Sequence, residues 1–360
     1  MYRLALLIIG FLLFIPKIAP CNDARLPGLI DIPNLKTRGF SDIGYHALLT
    51  DNEDDNSFAL GAVDLFISSK IAEKVSFLAE TLFEFDSDTN TIVVDLERAT
   101  LKYSLSDVFN IKIGRMHTSL GYWNQTFHHG VWLQASVMRP LIYLWEDDDG
   151  GFLPVHSVGI EFLGTLEFDA LDLEYNFDVL NGRGKTMTEI QNVKDNNDSK
   201  AINFLLSLKP HFLDGLKLGA NIYVDTIPPN PGDPLRIERI EERIIGGYLA
   251  YNYEGIELLG EVFNIHHADK TSGNDFDTSG YYLQAAYKMN KLTPYYRFDS
   301  LDFENGDPYF TPLDIDMNKH TLGVRQEIFT WNDLKFEYSF SDKENEDDEH
   351  SFTINLSFAF

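Results

Sequence analysis

Apolar and polar residues alternate along most of this chain. In the C-terminal stretch HSFTINLSFAF, Phe352, Ile354, Leu356, Phe358 and Phe360 fall on one side, and Thr353, Asn355, Ser357 and Ala359 on the other. Successive side chains of a strand face opposite sides of a sheet, so this is a two-faced strand. The same period sets Leu171, Leu173, Tyr175, Phe177 and Val179 against Asp172, Glu174, Asn176 and Asp178. It also sets Leu334, Phe336, Tyr338 and Phe340 against Lys335, Glu337 and Ser339. No helical period is as sustained. The pattern predicts strands at 40–50, 57–69, 74–86, 91–104, 108–116, 155–164, 167–180, 200–209, 215–225, 243–253, 256–267, 277–288, 292–301, 319–329, 333–342 and 350–360. These strands run about 9–13 residues, against about 5–6 in soluble sheets and about 9–11 for a tilted strand that crosses a membrane. Aromatic residues gather near their ends, as in Phe83 and Phe85, Tyr281 and Tyr287, and Phe358 and Phe360.

The connections alternate between short turns and longer polar loops, beginning and ending with a long one. An even strand number with that rhythm predicts an all-β fold, a transmembrane antiparallel barrel of about 16 strands. Short turns then face the periplasm, together with both termini, and long loops face outward. One strand is irregular. Asp95 and Glu97 share a face with Ala99 and Leu101, which predicts a bulge in 91–104.

The N-terminus follows another rule. Arg3 precedes an apolar run from Leu4 to Ile15, ended by Pro16 and Pro20. A bilayer span needs about 20 residues, so the run is too short to cross and reads as a secretory signal peptide. The expected organisation is a signal peptide over 1–24, cleaved after Ala24, a periplasmic segment over 25–39, and the barrel over 40–360. The chain has 29 Lys and Arg against 56 Asp and Glu, a formal charge of −27, which excludes nucleic acid as a partner. Its one cysteine, Cys21, excludes a disulfide framework and a Cys-based zinc site.

The signal peptide, the strand and loop rhythm and the terminal Phe360 together resemble Gram-negative outer-membrane porins of the 16-stranded type. The stretch GRMHTSLGYWNQTFHHGVWLQASVMRP, from Gly114 to Pro140, resembles porins of the phosphate-selective group. The resemblance implies passive diffusion of small polar solutes, homotrimers, recognition of the C-terminal aromatic by the barrel-assembly machinery, and a third long loop that folds inward and narrows the pore. In this chain that loop is 117–154. Its candidate constriction and solute-contact residues are His117, Tyr122, Trp123, Asn124, Gln125, His128, His129, Trp132, Gln134 and Arg139. Aromatic faces and amides suit contact with polar solutes, and Gly121 and Gly130 permit sharp bends.

Candidate lumen charges include Glu80, Glu84, Asp172, Glu174, Arg297 and Arg325, in a set that leans acidic. Charged linings select by sign, so a mild cation preference is expected and anion specificity is not. Acidic runs at Asp51 to Asp55, Glu146 to Asp149 and Glu344 to Glu349 suit divalent cations that bridge to lipopolysaccharide. No cofactor and no metal is expected. Neighbouring residues on a strand face opposite ways, so the pairs His128/His129 and His266/His267 are poor chelates. Two readings from other classes stand beside the channel: an outer-membrane enzyme acting on lipid through Ser119 near His117, and a structural or adhesive barrel with a closed lumen.

Overall fold

The computed structural model describes residues 35–50, 54–86, 91–128, 130–143, 151–190, 193–195, 197–311, 316–344 and 347–360. The expected signal peptide lies outside them. So does most of the first acidic run, the whole of the second, and part of the third.

Sixteen strands form one closed antiparallel ring. They are β1 (Lys36–Leu49), β2 (Asp54–Ala72), β3 (Val75–Asp86), β4 (Thr91–Ser106), β5 (Phe109–His117), β6 (His156–Glu167), β7 (Leu171–Leu180) and β8 (Ala201–Pro210), followed by β9 (Leu216–Ile227), β10 (Ile240–Tyr253), β11 (Ile256–Asp269), β12 (Asp275–Tyr287), β13 (Leu292–Asp302), β14 (Met317–Phe329), β15 (Asn332–Lys343) and β16 (Glu349–Ala359). Each strand pairs with its sequence neighbours, and β1 pairs with β16 from Phe40↔Ala359 to Leu49↔His350. Phe360 extends that seam: its N–H donates to the Gly39 carbonyl at 2.8 Å, and the Gly39 N–H donates to its carbonyl at 2.9 Å. Closure leaves no free strand edge, which hydrocarbon surroundings require.

The alternation is inside out relative to a soluble protein. On β15, Lys335 and Glu337 are 0% and 3% exposed, whereas Leu283 on β12 and Leu322 on β14 are each 59% exposed. Polar residues face the interior of the ring, and an apolar surface faces out. On β16, Thr353, Asn355 and Ser357 are buried, whereas Phe352 and, just past the strand, Phe360 are exposed. The interior is nonetheless not uniformly polar. Ile240, Ile244, Phe263, Ile265 and Tyr282 are buried on the inward faces of β10, β11 and β12, together with Leu120, Trp123 and Ile142 from the β5–β6 connection.

Several boundaries differ from the sequence reading. β1 starts at Lys36, so residues 36–39 belong to the wall rather than to the N-terminal segment. The connections β1–β2, β3–β4, β11–β12 and β15–β16 are as short as turns on the other rim, because acidic residues at strand ends still pair their backbones. Length is concentrated in four connections, 118–155, 181–200, 228–239 and 303–316. The bulge in β4 has a definite place. Glu80 pairs with Arg98 and Thr81 with Leu96, so Glu97 is the extra residue. Ile92, Val94 and Leu96 are exposed before it and Leu101 and Tyr103 after it, so the outward parity switches there. Glu97 is fully buried, and the next residue, Arg98, also turns inward to pair with Glu80.

Candidate functional site

The β5–β6 connection carries a short helix, α1 (Trp123–Thr126), and a single 3-10 turn at Leu141–Tyr143. Its backbone is held by side chains from the inner face of the ring. Glu261 on β11 accepts the Tyr122 and Trp123 N–H groups, both at 2.8 Å, and the hydroxyls of Tyr143 and Tyr282 at 3.0 and 2.8 Å. Glu337 on β15 accepts the N–H groups of Val137 and Met138 at 2.7 and 3.2 Å and the Tyr295 hydroxyl at 2.7 Å. Asp299 on β13 accepts the Leu141 N–H at 3.0 Å.

Cations hold the carbonyls. Arg297 donates to the carbonyls of Met138 and Arg139 at 2.8 and 3.0 Å, to the Ser136 hydroxyl at 3.0 Å, and to Asp299 at 2.8 Å. Lys335 donates to the carbonyls of Val131, Gln134 and Ser136. Burying an irregular backbone requires that its polar groups find partners. Here the inner-face charges supply them, and hydrogen bonds to charged groups are worth about 1.5–3 kcal/mol each.

Gly121 adopts φ +66°, and a Cβ there would fall 2.0 Å from Oε2 of Glu261. Only glycine fits both the conformation and the approach. The second bend is made differently. Gly130 has no left-handed conformation, whereas His128 does, at φ +38°.

The expected contact residues divide into groups. Asn124 is buried and donates to the carbonyls of Thr118 and Val155 at 2.9 and 3.1 Å. Gln134 is buried and accepts the Trp123 indole N–H at 3.0 Å. Gln125 is exposed and donates to the Gly121 carbonyl at 2.7 Å. The Tyr122 ring is half-buried, 5.6 Å from that of Tyr248, and burial pushes its hydroxyl pKa up. Trp132 and Arg139 are half-buried, with the Arg325 guanidinium 5.4 Å from the Trp132 ring centre. His117 and His128 are buried and belong to one cluster with Glu97 and His156. His129 lies outside the described residues.

The expected lumen charges are mostly paired. Glu80 pairs with Arg98, Glu174 with Lys209 and Lys217, Asp172 with His211, and Arg325 with Asp333. Glu84 is half-buried on the same strand as Glu80. Ser119 donates its hydroxyl to Glu161 at 2.9 Å and to Asp178 at 3.4 Å, rather than to His117. Of the adjacent histidines, His266 meets Asp277 near the surface and His267 is fully buried between Glu242 and Asp307, as strand alternation demands.

Sequence reasoning did not single out His156 or Arg183, and it marked Glu97 only as part of a strand irregularity. Arg183 donates to the carbonyls of Gly151 and Phe152 at 2.8 and 2.6 Å and to Glu242 at 2.7 Å, which closes the far end of the connection. The signal for Glu97 was present as an acidic residue out of phase on a strand.

Two cavities lie between this connection and the wall. One, of about 580 Å³, is lined by Tyr122, Thr126, Lys209, His211, Asp214, Lys217 and Asn252. The other, of about 250 Å³, is lined by Leu133, Glu257, Lys288, Lys291, Arg325 and Glu327.

No protein-family model matches the chain, and no curated protein does. Solved structures do. The chain is similar to an anion-selective porin from Comamonas acidovorans, at 12% identity over 91% of this chain and 99% of that one, with a TM-score of 0.64. It is also similar to Salmonella typhi OmpF in complex with daunomycin, at 12% identity, 91% and 97% coverage and a TM-score of 0.63. A third is the outer-membrane channel DcaP of Acinetobacter baumannii, at 10% identity, 91% and 97% coverage and a TM-score of 0.58. At these identities the likeness is one of fold.

Proposed function

We propose that this chain is an outer-membrane channel for passive diffusion of small polar solutes, narrowed by the inward-folded segment 117–154. One observation carries the reading: a polar inner face binds the backbone of a long connection and leaves charged, water-sized space beside it. The titles of two structural neighbours, a porin and an outer-membrane channel, agree with it.

Selectivity for cations is mild in this reading. Glu261, Asp299 and Glu337 lean the lining acidic, but they bond the loop backbone instead of facing solute. The accessible cavities mix Lys209, Lys217, Lys288, Lys291 and Arg325 with Asp214, Glu257 and Glu327. The overall charge of −27 then sets the sign. Recognition of Phe360 by the barrel-assembly machinery, divalent bridging to lipopolysaccharide and trimer formation complete the proposal.

Single-channel conductance in planar bilayers tests it. Discrete conductance steps support the channel. A correctly folded, inserted barrel that passes no current above background overturns it. A closed-lumen barrel then becomes the better reading, and one observation favours it: Val131 and Trp132 reach β1 and β2, where they line with Asp42 and Asp64 a gap of about 10 Å³. The enzyme reading requires lipid hydrolysis that disappears in Ser119→Ala.

A further inference from the structure

Four buried side chains from four separate segments converge on one point. Glu97 comes from the β4 bulge, His117 from the end of β5, His156 from the start of β6, and His128 from the loop just after α1. One ligand atom from each lies within 4.8 Å of every other. All four are at most 7% exposed.

The ring wall assembles three of them. His117 and His156 stand directly opposite each other on β5 and β6. Residues directly opposite in an antiparallel pair face the same side. Ala99 pairs with Arg115, and two residues beyond on each strand stand Glu97 and His117. The bulge turns Glu97 inward, so a carboxylate and two imidazoles meet in a row across three neighbouring strands. The loop adds the fourth group.

The four groups turn potential ligand atoms towards one another. Both amide hydrogens of Asn124 are engaged by the carbonyls of Thr118 and Val155. Its oxygen, 2.8 Å from Nδ1 of His128, can only accept. Nδ1 of His128 therefore carries the proton, and in the neutral ring Nε2 presents a lone pair. That Nε2 lies 2.6 Å from Nε2 of His156 and 3.4 Å from Oε2 of Glu97. Nε2 of His156 is also 2.5 Å from the same Glu97 oxygen. The three atoms thus crowd together at hydrogen-bond distance from one another. Nε2 of His117 makes no hydrogen bond among the described residues, and its closest carboxylate is that of Glu80, 3.9 Å away.

We propose that Glu97, His117, His128 and His156 form a binding site for a divalent transition-metal ion, Zn²⁺ above all, which staples the loop to the wall. Imidazole nitrogens with one carboxylate suit zinc. Tetrahedral zinc, with bonds of about 2.0–2.2 Å, separates its ligand atoms by about 3.3 Å, within the spread seen here. Four protein ligands leave no open position, so the ion is structural rather than catalytic. Asn124 is the positioning residue: it fixes the His128 tautomer and ring, as outer hydrogen bonds do for metal-bound histidines. The left-handed backbone of His128, at φ +38°, is the strain that such a site holds in place. His267 shows the contrast. Its two ring nitrogens already meet Glu242 and Asp307, at 3.1 and 2.7 Å, with Arg183 beside them. Both of its ring nitrogens are engaged and Arg183 supplies the positive charge, so that cluster does not turn free ring nitrogens towards an ion.

The site does not depend on whether the barrel conducts, and the test reads metal alone. The untagged, full-length barrel is stripped with a chelator and titrated with Zn²⁺ against an indicator, and separately with Co²⁺. The expected result is one Zn²⁺ per chain and a Co²⁺ absorption spectrum of four-coordinate type. His128→Ala and Glu97→Gln should each lower Zn²⁺ affinity roughly 100-fold or more, and Asn124→Ala about 10–100-fold, whereas His267→Gln should not. Folding of each variant is checked by circular dichroism. A folded wild type that takes up no stoichiometric Zn²⁺, or binds Co²⁺ with an octahedral spectrum, overturns the proposal even if the variants fail to fold. Unchanged affinity in folded His128→Ala does so as well.

Discussion

A β-carbon on Gly121 would sit 2.0 Å from the carboxylate of Glu261, 140 positions along the chain on β11. The two residues define how closely the loop approaches the wall. Gly121→Ala should therefore shift the loop and cost at least about 1 kcal/mol through its left-handed backbone alone. Thermal unfolding in detergent should show the loss, and single-channel current should change in size from an otherwise folded barrel. Wild-type stability and current in this variant would mean that the loop does not need this contact.

Deleting Gly121 to Gln134 should raise conductance and strengthen cation preference together. Removing the segment unblocks the lumen and frees the Glu261 carboxylate from the two backbone N–H groups that hold it. Conductance and reversal potential, measured on the same folded variant, check both parts. An unchanged conductance would place the loop outside the conducting path.

Lys335→Met leaves the carbonyls of Val131, Gln134 and Ser136 without their buried donor. Breaking a buried charged interaction of this kind costs about 3–5 kcal/mol. The expected result is a folded barrel with a lower unfolding temperature and a noisier current.

The wild-type channel should show a reversal potential of the sign for mild cation preference under a KCl gradient, weakening as salt rises, because exposed charges are screened beyond about 8 Å at physiological ionic strength. A potential of the opposite sign would show that Lys209, Lys217, Lys288 and Lys291 outweigh the overall charge.

The predicted preference should depend on pH through His211. It lies in the β8–β9 turn, where the Asp169 carbonyl at 3.2 Å and the Asp172 carboxylate at 3.0 Å raise its pKa. A raised pKa means that the contact stabilises the protein below about pH 6.5 and is lost as pH climbs through the folded value. Since His211 lines the larger cavity, its positive charge disappears over the same range. Cation preference should be stronger at about pH 8 than at about pH 5, and His211→Gln should reduce that difference.

The wall was legible in the sequence because strand alternation is a local property, with period two. Phe352 to Phe360 needed no partner to be read. The irregularity at Glu97 was visible for the same reason, but not its use: its neighbours there come from β5, β6 and the loop. The loop's partners were partly readable as types, since an inward glutamate such as Glu261 is recognisable. That it binds Tyr122 and Trp123 instead of solute follows only from the closed ring. His128 was read beside His129, its neighbour in sequence, whereas its neighbours in space are His117 and His156.

The seam between β1 and β16 has a consequence for synthesis. The hydrogen bonds between Phe360 and Gly39 extend the pairing that closes the ring. A chain cut short by one strand would leave β1 and β15 each with a row of unpaired backbone groups, an edge ready to pair with other chains. A product lacking β16 should therefore aggregate or be degraded instead of closing as a smaller barrel, which makes completion of that seam a checkpoint on folding.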